Sequence, residues 1–241
     1  HGKLGENGSA VASGNGHPDV HVGRNGTQAI ATSTRCPRCI VAPLDAPLNI
    51  EEGSELPQGI YVITDDGAGT AQALVAELTA VGRRSFVLDA SLLATAEGAA
   101  AQVAQIRKEY GTVGAVMHLA PLAESPELPT VDEATWRDRF ELEVRSVLFT
   151  LQALSRELSS AQSGDVAVLC ATRGGGDFAP HQNEEAGQPW RGGLAGMMKT
   201  AAKEWTGARF RFVDFDKLPE PSRLLDEIRA TGPVEVGYRE G

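Results

Sequence analysis

The chain has 241 residues, a formal net charge of −10, 41% hydrophobic and 5% aromatic content. That acidic balance argues against nucleic acid or an anionic membrane as a partner, since both call for basic patches. No apolar run approaches the roughly 20 residues a membrane-spanning helix needs. Three cysteines, Cys36, Cys39 and Cys170, form no disulfide framework, which points to a reducing cytoplasm. The sequence opens on His1 with no signal-peptide pattern and reads as a piece of a longer polypeptide.

Residues 1–35 are rich in Gly, Asn and Ser and have few apolar residues. Such a segment buries too little surface to offset its ordering entropy, so it reads as a flexible interdomain linker. One alternative is a zinc site on His17, His21, Cys36 and Cys39, whose spacings resemble a zinc finger in reverse order. The intervening stretch lacks the apolar residues that pack a finger, which favours linker and strand. Residues 36–241 read as one ordered domain. Ile40–Leu44 reads as a short edge strand, because prolines flank it, and Pro47–Pro57 as a connector. Strands and amphipathic helices then alternate. Strands are expected at Gly59–Thr64, Ser85–Asp89, Val113–Leu119, Asp165–Ala171, around Phe210–Phe215 and at Val234–Gly237. Helices are expected at Gly69–Val81, Thr95–Tyr110, Val131–Leu158, Pro189–Trp205 and Pro219–Ala230. This order predicts an α/β fold, a doubly wound parallel sheet of Rossmann type.

The helix Pro189–Trp205 organises the functional reading. Trp190, Leu194, Met197, Met198, Ala201, Ala202 and Trp205 recur at helical spacing. Its Gly193-x-x-Gly196-x-x-Lys199 pattern, followed by Ala202-x-Glu204, resembles the helix of short-chain dehydrogenases/reductases that begins with the catalytic Tyr-x-x-x-Lys. The resemblance puts Gly187 at the place of that Tyr and Arg191 at the place of that Lys. It puts Glu143 at the place of the catalytic Asn, and leaves Thr172 as the one residue able to stand in for the Ser. The reductase phosphate loop, Thr-Gly-Gly-x-x-Gly-x-Gly, corresponds here to Thr64-Asp65-Asp66-Gly67-Ala68-Gly69-Thr70-Ala71. Two carboxylates stand where glycines let the backbone approach an anionic pyrophosphate. Asp89 lies near the place of a ribose-binding acid, but an Asp ending a strand is more often a turn former. His118 ends the strand Val113–Leu119 and reads as structural rather than as a general base.

Thr172-Arg173-Gly174 and the glycine-spaced helix resemble, more narrowly, the ketoreductase region of type I polyketide synthases and polyunsaturated fatty acid synthases. Such ketoreductases have two Rossmann-like halves, and the degenerate loop with the Thr-Arg-Gly strand end resembles the first, structural one. Glu235-Val236-Gly237-Tyr238-Arg239 resembles its end. The resemblance implies no catalytic residue, no metal and no cofactor in this stretch. It implies NADPH in the adjoining catalytic half of the same polypeptide, with acyl carrier protein and other synthase domains as partners. An autonomous or pseudo-reductase acting as a docking module is the alternative. A hydrophobic docking face is expected on the helices 131–158 and 189–205, from Phe149 and Leu154 and from the small residues Gly192, Gly193 and Gly196.

Overall fold

A computed structural model describes residues 44–45, 47–51, 54–124, 126, 130–176 and 189–239. These lie within one compact unit, Pro43–Gly241. Six strands form one parallel sheet: β1 (Ile60–Thr64), β2 (Arg84–Leu88), β3 (Val113–His118), β4 (Ala167–Thr172), β5 (Arg209–Phe215) and β6 (Glu235–Tyr238), in the order β2-β1-β3-β4-β5-β6. The helices are α1 (Thr70–Ala80), α2 (Ala96–Tyr110), α3 (Glu133–Phe140), α4 (Ser146–Ala153), α5 (Ser155–Ser160), α6 (Gly192–Glu204) and α7 (Pro221–Arg229).

Strand side chains alternate between two apolar layers, as a period of two requires. Ile60, Val62, Val116, Val168, Cys170, Phe210 and Phe212 pack with Val103 and Ile106 of α2, Val147 and Leu151 of α4, and Leu194 and Met198 of α6. Tyr61, Ile63, Met117, Leu169 and Val213 pack with Leu74 and Leu78 of α1 and with Leu224 and Ile228 of α7. Each such leucine contributes roughly 1.5–3 kcal/mol of burial. The sheet is therefore covered on both faces, as the sequence predicts for a doubly wound fold. Where β1 and β3 begin, only glycine fits. Gly59 has φ +96°, and a Cβ on Gly114 would lie 1.6 Å from the Gln58 carbonyl oxygen.

The strand order reverses at β1, which has β2 on one side and β3 on the other. In open α/β sheets a ligand crevice lies outside the carboxyl ends of the strands at this switch point. The residues at those ends are Thr64 and His118, in register with each other.

Several sequence expectations shift. The single helix Val131–Leu158 is in fact α3, a π turn at Glu141–Arg145, α4 and α5 in succession. Asp132 caps α3 by accepting the Thr135 N–H at 2.8 Å. The helix of Pro189–Trp205 begins as a 3-10 turn, Pro189–Arg191, before α6. Leu154 belongs to the core and is not available to a docking face; Phe149 is half-buried beneath the Arg145 guanidinium. Gly192 and Gly196 do face open space, but as bare backbone and not as an apolar patch. The edge strand expected at Ile40–Leu44 lies outside the described residues except for Leu44, which is exposed and in no strand. Residues 1–35, the alternative zinc ligands His17, His21, Cys36 and Cys39, and Gly187 also lie outside them. Among the described residues no helix is long and apolar enough to cross a membrane.

Candidate functional site

The site is the crevice region at the carboxyl ends of β1, β3 and β4. Its first part is the turn from β1 into α1. Gly67 and Gly69 adopt the left-handed region, φ +68° and +96°, which their lack of a Cβ permits. The Asp65 carboxylate is exposed and closes a local turn: Oδ1 accepts the Gly67 N–H at 2.9 Å, and Oδ2 accepts the Gln72 amide at 3.1 Å. Asp66 points the other way. It is only 4% exposed, and its Oδ1 accepts the Ala71 N–H, in the first turn of α1, at 3.3 Å. Its Oδ2 is buried with no partner among the described residues. The chain thus places its own carboxylate at the positive N-terminus of α1, where a dinucleotide fold holds pyrophosphate.

The second part is the junction of β1 and β3. Thr64 Oγ accepts the N–H groups of Leu119 at 2.9 Å and Ala120 at 3.0 Å. Its own proton therefore goes to His118 Nδ1, 3.0 Å away. That assigns the other ring proton to Nε2, which donates to the Glu143 carbonyl at 2.7 Å. Burial lowers the His118 pKa to about 4, although the Glu143 carbonyl opposes that shift. His118 is a neutral clasp between β1, β3 and the π turn, with both nitrogens engaged. The 3-10 turn Ala120–Leu122 follows directly, and its Ala, Pro and Leu are all buried.

The third part joins the two positions that the sequence reading puts in place of a catalytic Asn and Lys. Glu143, fully buried on the π turn, meets Arg191 from the 3-10 turn before α6. Arg191 Nε donates to Glu143 Oε2 at 2.6 Å and Nη2 to Oε1 at 3.3 Å. Two further donors complete the carboxylate: Trp190 Nε1 at 2.9 Å and Arg139 Nη1 at 3.2 Å. Arg191 also donates to the carbonyls of Ala123 at 3.0 Å and Arg173 at 3.4 Å. Its guanidinium thereby ties together the ends of β3 and β4. Burial pushes the nearby Cys170 thiol up, and the Glu143 charge adds to this, so it is no nucleophile.

Thr172 does not join that network. Its hydroxyl donates to Asp214 Oδ1 at 2.7 Å, across the β4–β5 pair. Asp214 also accepts the N–H groups of Gly174 at 2.7 Å and Gly176 at 2.9 Å, and so sets the path of the chain leaving β4. Asp89 stands apart, exposed, its carboxylate bonded to the Ser91 hydroxyl and N–H; these bonds hold its pKa below the usual carboxylate range. The structure therefore brings Glu143 and Arg191 together, puts Thr64 and Asp66 beside the same crevice, and leaves Asp65 and Asp89 in turns of their own. Trp190, Arg139 and Asp214 were not foreseen as participants. The available signals were an Asp inside the apolar strand Arg209–Phe215 and an Arg one turn before Glu143.

Residues 56–213 match the family model described as short chain dehydrogenase. Two curated proteins from strains of Staphylococcus epidermidis, each named 3-oxoacyl-[acyl-carrier-protein] reductase FabG, are 24% identical over 153 residues. The matches cover 62% of this chain and 61% of each relative, so the chain spans about three-fifths of the length of the curated relatives it matches. Among solved structures, a short chain dehydrogenase/reductase family oxidoreductase from Brucella ovis, in complex with a partially ordered NAD, is similar with a TM-score of 0.56. It is 17% identical, over 71% of this chain and 91% of that one. A multidomain structure with the adenylation, ketoreductase and pseudo Asub parts of a keto acid-selecting NRPS module is similar with a TM-score of 0.61. It is also 17% identical, over 83% of this chain and 17% of that one. At such identities the structural likeness speaks to the fold alone.

Proposed function

The chain belongs to the short chain dehydrogenase family, and from that premise we propose that it is the non-catalytic, structural half of a ketoreductase within a multidomain synthase. In this reading a following half of the same polypeptide binds NADPH and reduces β-ketoacyl groups carried on an acyl carrier protein. This half supports its shape, in the cytoplasm. The observation that carries the reading is the buried Glu143–Arg191 pair. A reductase site needs a proton donor poised at a carbonyl and a cation free to tune it. Here the cation is consumed by Glu143 and two backbone carbonyls, and His118, the one histidine among the described residues, is neutral with both nitrogens bonded.

The cofactor side agrees. NAD(P) would have to place a pyrophosphate at the N-terminus of α1, and the buried Asp66 carboxyl group already holds that place. The residues present do not fit the group, so no step through it is assigned to this chain. Likeness to reductases of 3-oxoacyl groups and to a ketoreductase inside a module supports the proposed substrate class and setting. The test is to assay NADPH oxidation with a β-ketoacyl thioester, using this chain alone and the polypeptide that continues beyond Gly241. Turnover only in the longer protein is expected. Turnover by the chain alone would overturn the proposal.

A further inference from the structure

We infer that the opposite end of the sheet, at the start of β5, carries a binding site for a small phosphate ester, independent of the crevice described above. Loops at residues 161–166, 205–208 and 230–234 surround a depression of about 320 Å³. That is the lower end of the size range for small-molecule sites. Its floor is the pair Arg209 and Arg211, which share one face of β5 at i and i+2.

Both guanidinium groups are held in place by structure and keep donors to spare. Arg209 Nη1 donates to the Ile228 carbonyl at the end of α7, 2.7 Å away. Arg211, only 3% exposed, donates through Nη1 to the Pro233 carbonyl and faces Glu227 from α7 through Nε at 3.6 Å. Neither Nη2, nor Arg209 Nε, has a protein acceptor among the described residues. A planar fork whose orientation is fixed and whose outer N–H groups are unused suits bidentate contact with a phosphate. Ser163, Thr206 and Thr231 line the same depression, the Thr231 hydroxyl accepting from the Asn49 amide at 3.2 Å, and none of its lining residues is acidic.

The walls are built to let the arginines reach it. A Cβ on Gly164 would come within 2.8 Å of Arg209 Nη2, and Gly164 has φ +76°. A Cβ on Gly232 would come within 3.9 Å of Arg211 Nη2, and Gly232 has φ +125°. Both positions disfavour side chains by conformation, and at Gly164 the space toward Arg209 is tight as well. A helix-capping role accounts for one nitrogen of Arg209 and an ion pair for one edge of Arg211. It does not account for two adjacent cations over a depression walled by glycines and short polar residues.

The experiment is a calorimetric titration of the whole chain with inorganic phosphate and with glycerol 1-phosphate, with glycerol as the uncharged control. Two variants are titrated in parallel. Arg209→Gln removes the guanidinium and keeps a neutral polar stem, and Thr206→Glu leaves both arginines in place and adds an acid at an exposed rim position. Saturable binding of the ester, no binding of glycerol, and at least tenfold weaker binding in both variants are expected, with unliganded melting temperatures close to the parent's. No saturable binding to the parent, or binding that both variants keep, would overturn the inference. Because NADPH is absent from this test, its outcome is separate from that of the proposed function.

Discussion

Glu143 receives four hydrogen bonds, three of them from guanidinium groups, and is fully buried. A carboxylate in that position is stable only while its partners stay, so the pair sets up a clear asymmetry. Replacing Glu143 by Gln strands the Arg191 charge, and such a loss costs about 3–5 kcal/mol. Replacing both, as Glu143→Leu with Arg191→Met, removes the charges together and is expected to cost at least 1 kcal/mol less than the sum of the single changes. Urea unfolding midpoints of the three variants check this. His118 makes a second prediction at the same scale. Its folded pKa of about 4 lies below the ordinary 6.5, so the unfolded chain binds more protons between those values. Stability from this group is complete above pH 6.5 and is lost as pH falls toward 4, on the order of 3 kcal/mol in all. The unfolding midpoint should fall between pH 7 and pH 5, and His118→Gln should flatten that slope. A parent protein with no slope in that window would contradict the neutral assignment.

At the scale of elements, α1 carries its own anion. Asp66→Ala removes the acceptor for the Ala71 N–H and the charge at the helix N-terminus, and the expected loss is about 1 kcal/mol. Hydrogen exchange at residues 70–72 should quicken while the amides of β3 stay protected. A second tie, from α2 to α5, is the Arg107–Glu157 pair, whose acid is nearly buried and whose guanidinium also reaches the Ala153 carbonyl. Arg107→Met keeps the stem and removes these bonds, with an expected loss of about 2 kcal/mol in unfolding free energy. Elements of this kind were largely legible in the sequence. Strict alternation of strand and helix gave the sheet, and apolar spacing placed α1, α2, α6 and α7 within a few residues. The π turn was not legible, because a single inserted residue leaves the apolar stripe of Trp136, Phe140, Val144 and Val147 almost unchanged. The Glu143–Arg191 contact was half legible. The two positions were picked out by resemblance, and they carry opposite charges. Their meeting across 48 residues, with Trp190 and Arg139 added, is a matter of tertiary packing that no local pattern reports.

For the whole molecule, the sheet order, the two packed faces and the reversal at β1 build the frame of a nucleotide-binding fold. Among the described residues, three positions where the proposed reading expects such a fold to do chemistry are occupied by the chain's own side chains. Asp66 holds the anion position, the Thr64–His118 clasp closes the strand ends, and Glu143 binds the cation that stands where a catalytic Lys is expected. These are three separate replacements on three separate elements, and each satisfies polar groups internally. Together they support the proposal that this half binds no cofactor of its own. Titration of NADPH into this chain by calorimetry tests that claim most directly. We predict no saturable heat up to about 1 mM nucleotide, where a site of micromolar affinity would be fully occupied. Saturable binding with a micromolar dissociation constant would contradict it.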